Sequence, residues 1–144
     1  MSHWQPFYEK TKERPADPIM GFARSRVASK LEKIAIDCGC GAGRNSEYLR
    51  NKGFEVHGFD PDNEAIEICK KQFQDDDKAH FSCDSFSTFK YPSASLVVAS
   101  MSLFFCPALE FDASWKRITE SLSVGGVFCG SFLGPNDSWA KTGK

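Results

Sequence analysis

Apolar and polar positions fall along the chain in two kinds of block: short runs with the composition of strands, and longer stretches with helical spacing. From about Pro18 to Lys30, Ile19, Phe22, Ala23 and Val27 recur at helical intervals and predict a helix with one apolar stripe. Lys33 to Asp37 reads as a short strand ending in a carboxylate. A second helix is predicted to start near Arg44, to turn Tyr48 and Leu49 inward, and to stop at Gly53, which suits the left-handed position after a helix end. Glu55 to Asp60 reads as the next strand, again closed by an acid. Asn63 to Gln72 follows as a helix with Ala65, Ile66 and Cys69 toward a sheet and Asp62 as its N-cap. Asp75-Asp76-Asp77 reads as a solvated turn, His80 to Cys83 as a third strand, and Ser95 to Ser102 as a fourth. Phe111, Trp115, Ile118 and Leu122 mark a last helix over about 111–122, after which Gly125-Gly126 is expected to turn the chain into a fifth strand, Val127 to Leu133.

Strands that alternate with helices predict an α/β fold with a doubly wound, mainly parallel sheet and right-handed crossovers. Ligands of such sheets lie beyond the carboxyl ends of the strands. Asp37, Asp60, Asp84 and Met101 all fall at such ends. Residues 1–144 read as one domain, long enough to bury about two-thirds of the unfolded surface.

The chemistry concentrates in Asp37-Cys38-Gly39-Cys40-Gly41-Ala42-Gly43-Arg44-Asn45, an acid, three alternating glycines and a helix start. A dinucleotide fingerprint has the spacing G-x-G-x-x-G, and here its third glycine position is Arg44. A pyrophosphate held on this loop would also meet Asp37, and like charges at 4 Å repel by about 4 kcal/mol at an effective dielectric near 20. A cationic ligand without phosphate is attracted instead. S-adenosylmethionine, with its ammonium, sulfonium and carboxylate, has that character, and its carboxylate suits a helix N-terminus.

The loop resembles the first motif of class I S-adenosylmethionine-dependent methyltransferases, (Asp/Glu)-x-Gly-x-Gly-x-Gly. The resemblance implies a Rossmann-like methyltransferase fold and methyl transfer to a small-molecule acceptor. It implies cofactor contacts from Asp37, Gly39, Gly41, Gly43 and Asn45 around the loop. Asp60 matches the acid that holds the ribose diol, and Pro61 the residue that flanks the adenine. Asp84, with Ser85 and Phe86 after it, matches the third-strand acceptor of the adenine amino group, and Phe86 would cover the ring. Ser100 and Met101 stand where the fourth strand faces the methionine part. The opening Trp4, Phe7, Tyr8, Lys12, Arg14 and Pro15, with the late Asn136-Asp137-Ser138-Trp139, resemble the small-molecule branch that includes tellurite-resistance and thiopurine-type enzymes, and Arg14 would grip the cofactor carboxylate. The Asp expected beside an aromatic before the fourth strand is replaced by Ala94-Ser95, a difference expected to alter a surface turn only.

Composition narrows this further. A net charge of −1 without a basic cluster gives no electrostatic footprint for nucleic acid. Leu96 to Cys106 is too short to span a bilayer, and the polar, charged opening does not read as a signal peptide. The six cysteines form no C-x-x-C pair and Cys38-x-Cys40 is too tight for a zinc pair, so the expectation is a reduced, cytoplasmic protein with no metal. His57 and His80 read as core or rim residues of strands. The family fold normally adds a helix and a closing hairpin after the fifth strand, which is not seen before Lys144. A strand edge left open in that way invites pairing, so the expectation is either a truncated product or a homodimer paired through the fifth-strand edge. No catalytic base is read from the chain; a soft or already deprotonated acceptor needs none. Two other functions stay open at this point: a non-catalytic cofactor-binding module, and a nicotinamide-dependent oxidoreductase.

Overall fold

The computed structural model describes residues 19–100, 102, 103 and 106–131. Among the described residues four helices, α1 (Ile19–Arg26), α2 (Arg44–Asn51), α3 (Asn63–Gln72) and α4 (Ala108–Ser121), are interspersed with five strands, and the third and fourth strands follow one another without a helix between them. The strands are β1 (Ile34–Cys38), β2 (Glu55–Asp60), β3 (Ala79–Cys83), β4 (Ala94–Ala99) and β5 (Leu122–Gly130). They form one sheet in the order β3-β2-β1-β4-β5, with every neighbouring pair parallel. This is the doubly wound arrangement expected from the alternation.

Side chains alternate across the sheet into two apolar layers. Ala35, Val56, Leu96 and Val98 face Met20, Leu49 and Phe54 on one side. Ile36, Cys38, Phe59 and Val97 face Phe86, Leu103 and Ile118 on the other. β4 is buried at every position, as befits an inner strand of a parallel sheet covered on both faces. The helix ends follow local rules. Asp62 is the N-cap of α3, accepting from the Glu64 N–H at 3.0 Å. Gly53 has φ 90° just past α2.

Several boundaries differ from the reading of the sequence. α1 is shorter and turned by about one position: Met20 and Ala23 are buried, while Ile19 and Phe22 are exposed. The helix packs on β5, and that contact selects the face. α4 begins at Ala108, where Pro107 occupies the N-cap position; its first turn is exposed, so no apolar spacing marks it. Leu122 has left the helix and pairs with Ala94. β5 therefore starts before Gly125-Gly126, and the register jumps from Ala94↔Leu122 to Leu96↔Val127. The glycines form a bulge inside the strand. Gly125 has φ 94°, and a Cβ on it would stand 2.9 Å from the Ala28 Cβ. Its carbonyl accepts from the Ala28 N–H at 3.1 Å, which ties the chain after α1 to the sheet. Asp76 is also more than a solvated turn residue: Arg50 clamps its carboxylate from Nε at 2.7 Å and Nη2 at 3.0 Å.

Candidate cofactor site at the strand ends

β1 and β2 stop side by side, with Cys38 opposite Phe59, and the chain after β1 bends across the end of β2. The Phe59 carbonyl accepts from the Gly39 N–H at 2.8 Å and from the Cys40 N–H at 2.9 Å. Asp60 completes the clasp. Its Oδ2 accepts from the Gly41 N–H at 3.0 Å, and its Oδ1 accepts from the Asp62 N–H at 2.9 Å. An ionised carboxylate has about four acceptor positions, so each Asp60 oxygen keeps one for a ligand hydroxyl.

The loop glycines have φ 69°, 53° and 88° at Gly39, Gly41 and Gly43, and Gly43 is the N-cap of α2. At Gly39 the requirement is also one of space. A Cβ there would lie 2.5 Å from the Ser102 Cβ, because Ser102 closes on the loop from the end of β4 and donates its hydroxyl to the Cys38 carbonyl at 2.7 Å. The loop thus lies bare-backboned between two strand ends.

Asp37 sits behind this loop with 2 % of its surface exposed. Its Oδ2 accepts from the Ser46 hydroxyl at 2.7 Å, and the Ser46 backbone N–H also reaches it. The carboxylate therefore occupies part of the first turn of α2. Burial pushes its carboxyl up to about 6, the Ser46 bonds pull down, and Asp60 pushes up again. Asp60 is raised as well, chiefly by burial, against the Asp62 and Gly41 N–H groups. Two neighbouring acids are thus held with unfavourable desolvation, which a cation placed between them would relieve.

Asp84 lies just past β3, its N–H donating to the Asp60 carbonyl at 3.2 Å. Its Oδ1 accepts from the Thr88 hydroxyl at 2.8 Å, which organises the turn that Ser85 begins. Phe86 is 8 % exposed and meets Phe59 edge-on at 5.4 Å, so its ring serves the core. Pro61 is exposed, and Asn45 and Ser100 are half-buried at the loop and the end of β4. Arg14 and Met101, with Tyr8, Lys12, Phe104, Phe105 and residues 136–139, lie outside the described residues. Two residues that organise the site escaped the reading of the sequence. Ser46 and Ser102 carry buried hydroxyls bonded to Asp37 and to Cys38, and the only hint was a small polar residue set opposite a strand-end acid or glycine.

A cavity of about 540 Å³ is lined by Thr88, Phe89, Tyr91 and Arg117 among others, and includes none of the expected site residues. It lies against the connection from β3 to β4 rather than at the strand ends.

A sequence model described as a methyltransferase domain matches residues 35–126. No curated protein matches the chain. Among solved structures, a putative S-adenosyl-L-methionine-dependent methyltransferase from Methanococcus maripaludis superposes with TM-score 0.70 at 22 % identity, over 89 % of this chain and 62 % of that one. TehB from Haemophilus influenzae gives 0.69 at 20 %, over 83 % and 42 %. The plantazolicin methyltransferase BpumL, solved with SAH, gives 0.64 at 20 %, over 83 % and 48 %. The chain spans between 42 % and 62 % of the length of these three structures.

Proposed function

The chain belongs to the methyltransferase-domain family matched over residues 35–126, and from that premise we propose that it binds S-adenosylmethionine at the strand ends and serves methyl transfer to a small-molecule acceptor. The observation that carries this is the clasp itself: a glycine loop without phosphate-binding spacing, closed by Asp60 and backed by a buried Asp37. When bound, the cofactor supplies a methyl group on a sulfonium, a leaving group already activated by its charge.

The protein's work is then holding and shielding. Asp60 takes the ribose hydroxyls on its two spare acceptor positions. Gly39, Gly41 and Gly43 let a ligand approach the backbone closely. Asp37 contributes charge through the loop rather than surface, favouring a cation over a diphosphate. Asn45, Pro61, Asp84, Ser85 and Ser100 flank the clasp, and Arg14 and Met101 belong to the same proposal from the resemblance of their motifs. Phe86 supports Phe59 from beneath. Alignment of acceptor and methyl is worth up to roughly 7–11 kcal/mol, and no general base is assigned.

The small acceptor is supported by the likeness to the tellurite-resistance branch read from the terminal motifs. A cytoplasmic setting is supported by six free cysteines. Among the described residues no helix is long and apolar enough to cross a membrane. Pairing of two copies along β5 is part of the proposal too, because β5 stands at the end of the strand order with β4 as its partner among the described residues.

Isothermal calorimetry with S-adenosylmethionine, S-adenosylhomocysteine and NAD tests the reading. Binding of the first two without NAD is the expected result. NAD binding without the sulfonium ligand overturns it, and binding without turnover over a panel of thiol, selenol and oxyanion acceptors assigns a cofactor-binding module instead.

A further inference from the structure

Away from the clasp, at the opposite end of the sheet, Glu55, His57 and His80 bring their side chains together. Glu55 and His57 are two positions apart on β2 and so share a face, and His80 on β3 is the register partner of His57. The two imidazoles stack with centroids 4.6 Å apart and planes at 22°. Both Nε2 atoms turn to one carboxylate oxygen: Glu55 Oε2 is 2.9 Å from His80 Nε2 and 3.7 Å from His57 Nε2. One ligand atom from each of the three lies within 4.8 Å of the others.

The methyl-transfer site makes no use of these residues. Glu55 opens β2 and Asp60 closes it, so about 16 Å of strand separates Asp60 from Glu55 and about 10 Å separates it from His57. Neither is the cluster a core feature. His80 is exposed, and Glu55 and His57 are half-buried, so an ion can reach the three from solvent.

We propose that Glu55, His57 and His80 form a binding site for a divalent transition-metal ion of the zinc class, joining the outer strand β3 to β2. The donor set is two imidazoles and one carboxylate, the chemistry that borderline ions such as Zn²⁺ select, with the remaining position left to water. Ligands at 2.0–2.1 Å around a tetrahedral ion stand about 3.3–3.4 Å from one another. The two distances to Glu55, 2.9 and 3.7 Å, bracket that value. The acid that orders both rings in the metal-free chain becomes the third ligand, and small side-chain rotations at the exposed His80 close the set. The consequence is a staple on β3, a strand that pairs with β2 and is otherwise half-exposed. This inference does not depend on the identity of the cofactor.

The test is titration of the purified full chain with Zn²⁺ in chelator-free buffer, followed by calorimetry and thermal melting, with Co²⁺ as a spectroscopic probe. One ion per chain is expected, together with a saturable rise in melting temperature. His80→Ala and Glu55→Gln are each expected to raise the Kd at least about tenfold. Both residues lie at the surface, and melting of the metal-free variants verifies that they fold. Co²⁺ should give the visible bands of a four- or five-coordinate nitrogen and oxygen site. Absence of binding, binding unchanged in both variants, or a Co²⁺ spectrum with thiolate charge transfer, which would place the ion on the cysteines, overturns the proposal.

Discussion

Asp37 and Asp60 show how differently two acids at adjacent strand ends can be employed. Asp60 faces the clasp and spends half its acceptor capacity on the Gly41 and Asp62 N–H groups. Asp60→Ala should weaken S-adenosylmethionine binding by about 1–3 kcal/mol. Calorimetry with an analogue lacking a ribose hydroxyl checks the contact, since the penalty of the substitution must shrink for that ligand. Asp37 is a buried charge whose carboxyl rises from 3.8 to about 6. The folded chain therefore holds this proton more tightly than the unfolded chain does. Its contribution to stability is greatest below about pH 4 and is lost as pH rises through about 6, a loss of about 3 kcal/mol. Asp37→Asn keeps an acceptor for Ser46 and removes the charge. The variant without ligand should melt higher than the native chain at pH 8, the gap closing between pH 6 and pH 4. Its affinity for the sulfonium cofactor should fall at pH 8. Equal melting temperatures across that range would show that the charge is not borne by this carboxyl.

At the level of elements, the site is a junction of three strand ends and one helix start. Gly39 is where the junction is tightest, having both φ 69° and a missing Cβ set against Ser102. Gly39→Ala should destabilise the fold by about 1–3 kcal/mol and lower cofactor affinity. Adding Ser102→Gly should recover part of the stability, because the collision is removed while the backbone strain remains; thermal melting of the single and double variants measures both parts. The strand-end acids and the loop were legible in the sequence because each follows an apolar run. The capping of α2 was not: Asp37 reaches Ser46 across a loop, through a contact that no local spacing encodes. The bulge at Gly125 was misread as a turn for the same kind of reason. Paired glycines announce a break, but only the approach of Ala28 places that break inside β5.

For the whole molecule, the sheet order β3-β2-β1-β4-β5 puts the crossing point between β1 and β4, and the clasp gathers beside it. Light scattering of the purified chain at micromolar concentration should report a dimer if two copies join along β5. A charged substitution at the exposed Val124 of that strand, Val124→Lys, should return the dimer to monomer. A single monomeric species for the native chain removes that part of the proposal.

Strand and helix alternation, the parallel sheet and the acid-glycine loop were available from the order of residues alone, because burial on both faces of a sheet imposes apolar runs and a tight strand-to-helix turn demands glycine. The use of each polar group was settled only by packing. Whether Asp37 meets a ligand or caps a helix depends on where Ser46 lands. Whether Phe86 covers a ligand or supports Phe59 depends on how the turn after β3 folds back. The meeting of Glu55, His57 and His80 depends on the register of β2 against β3. Periodicity records which face of an element is buried, whereas a contact between distant residues is chosen by the free energy of the assembled chain.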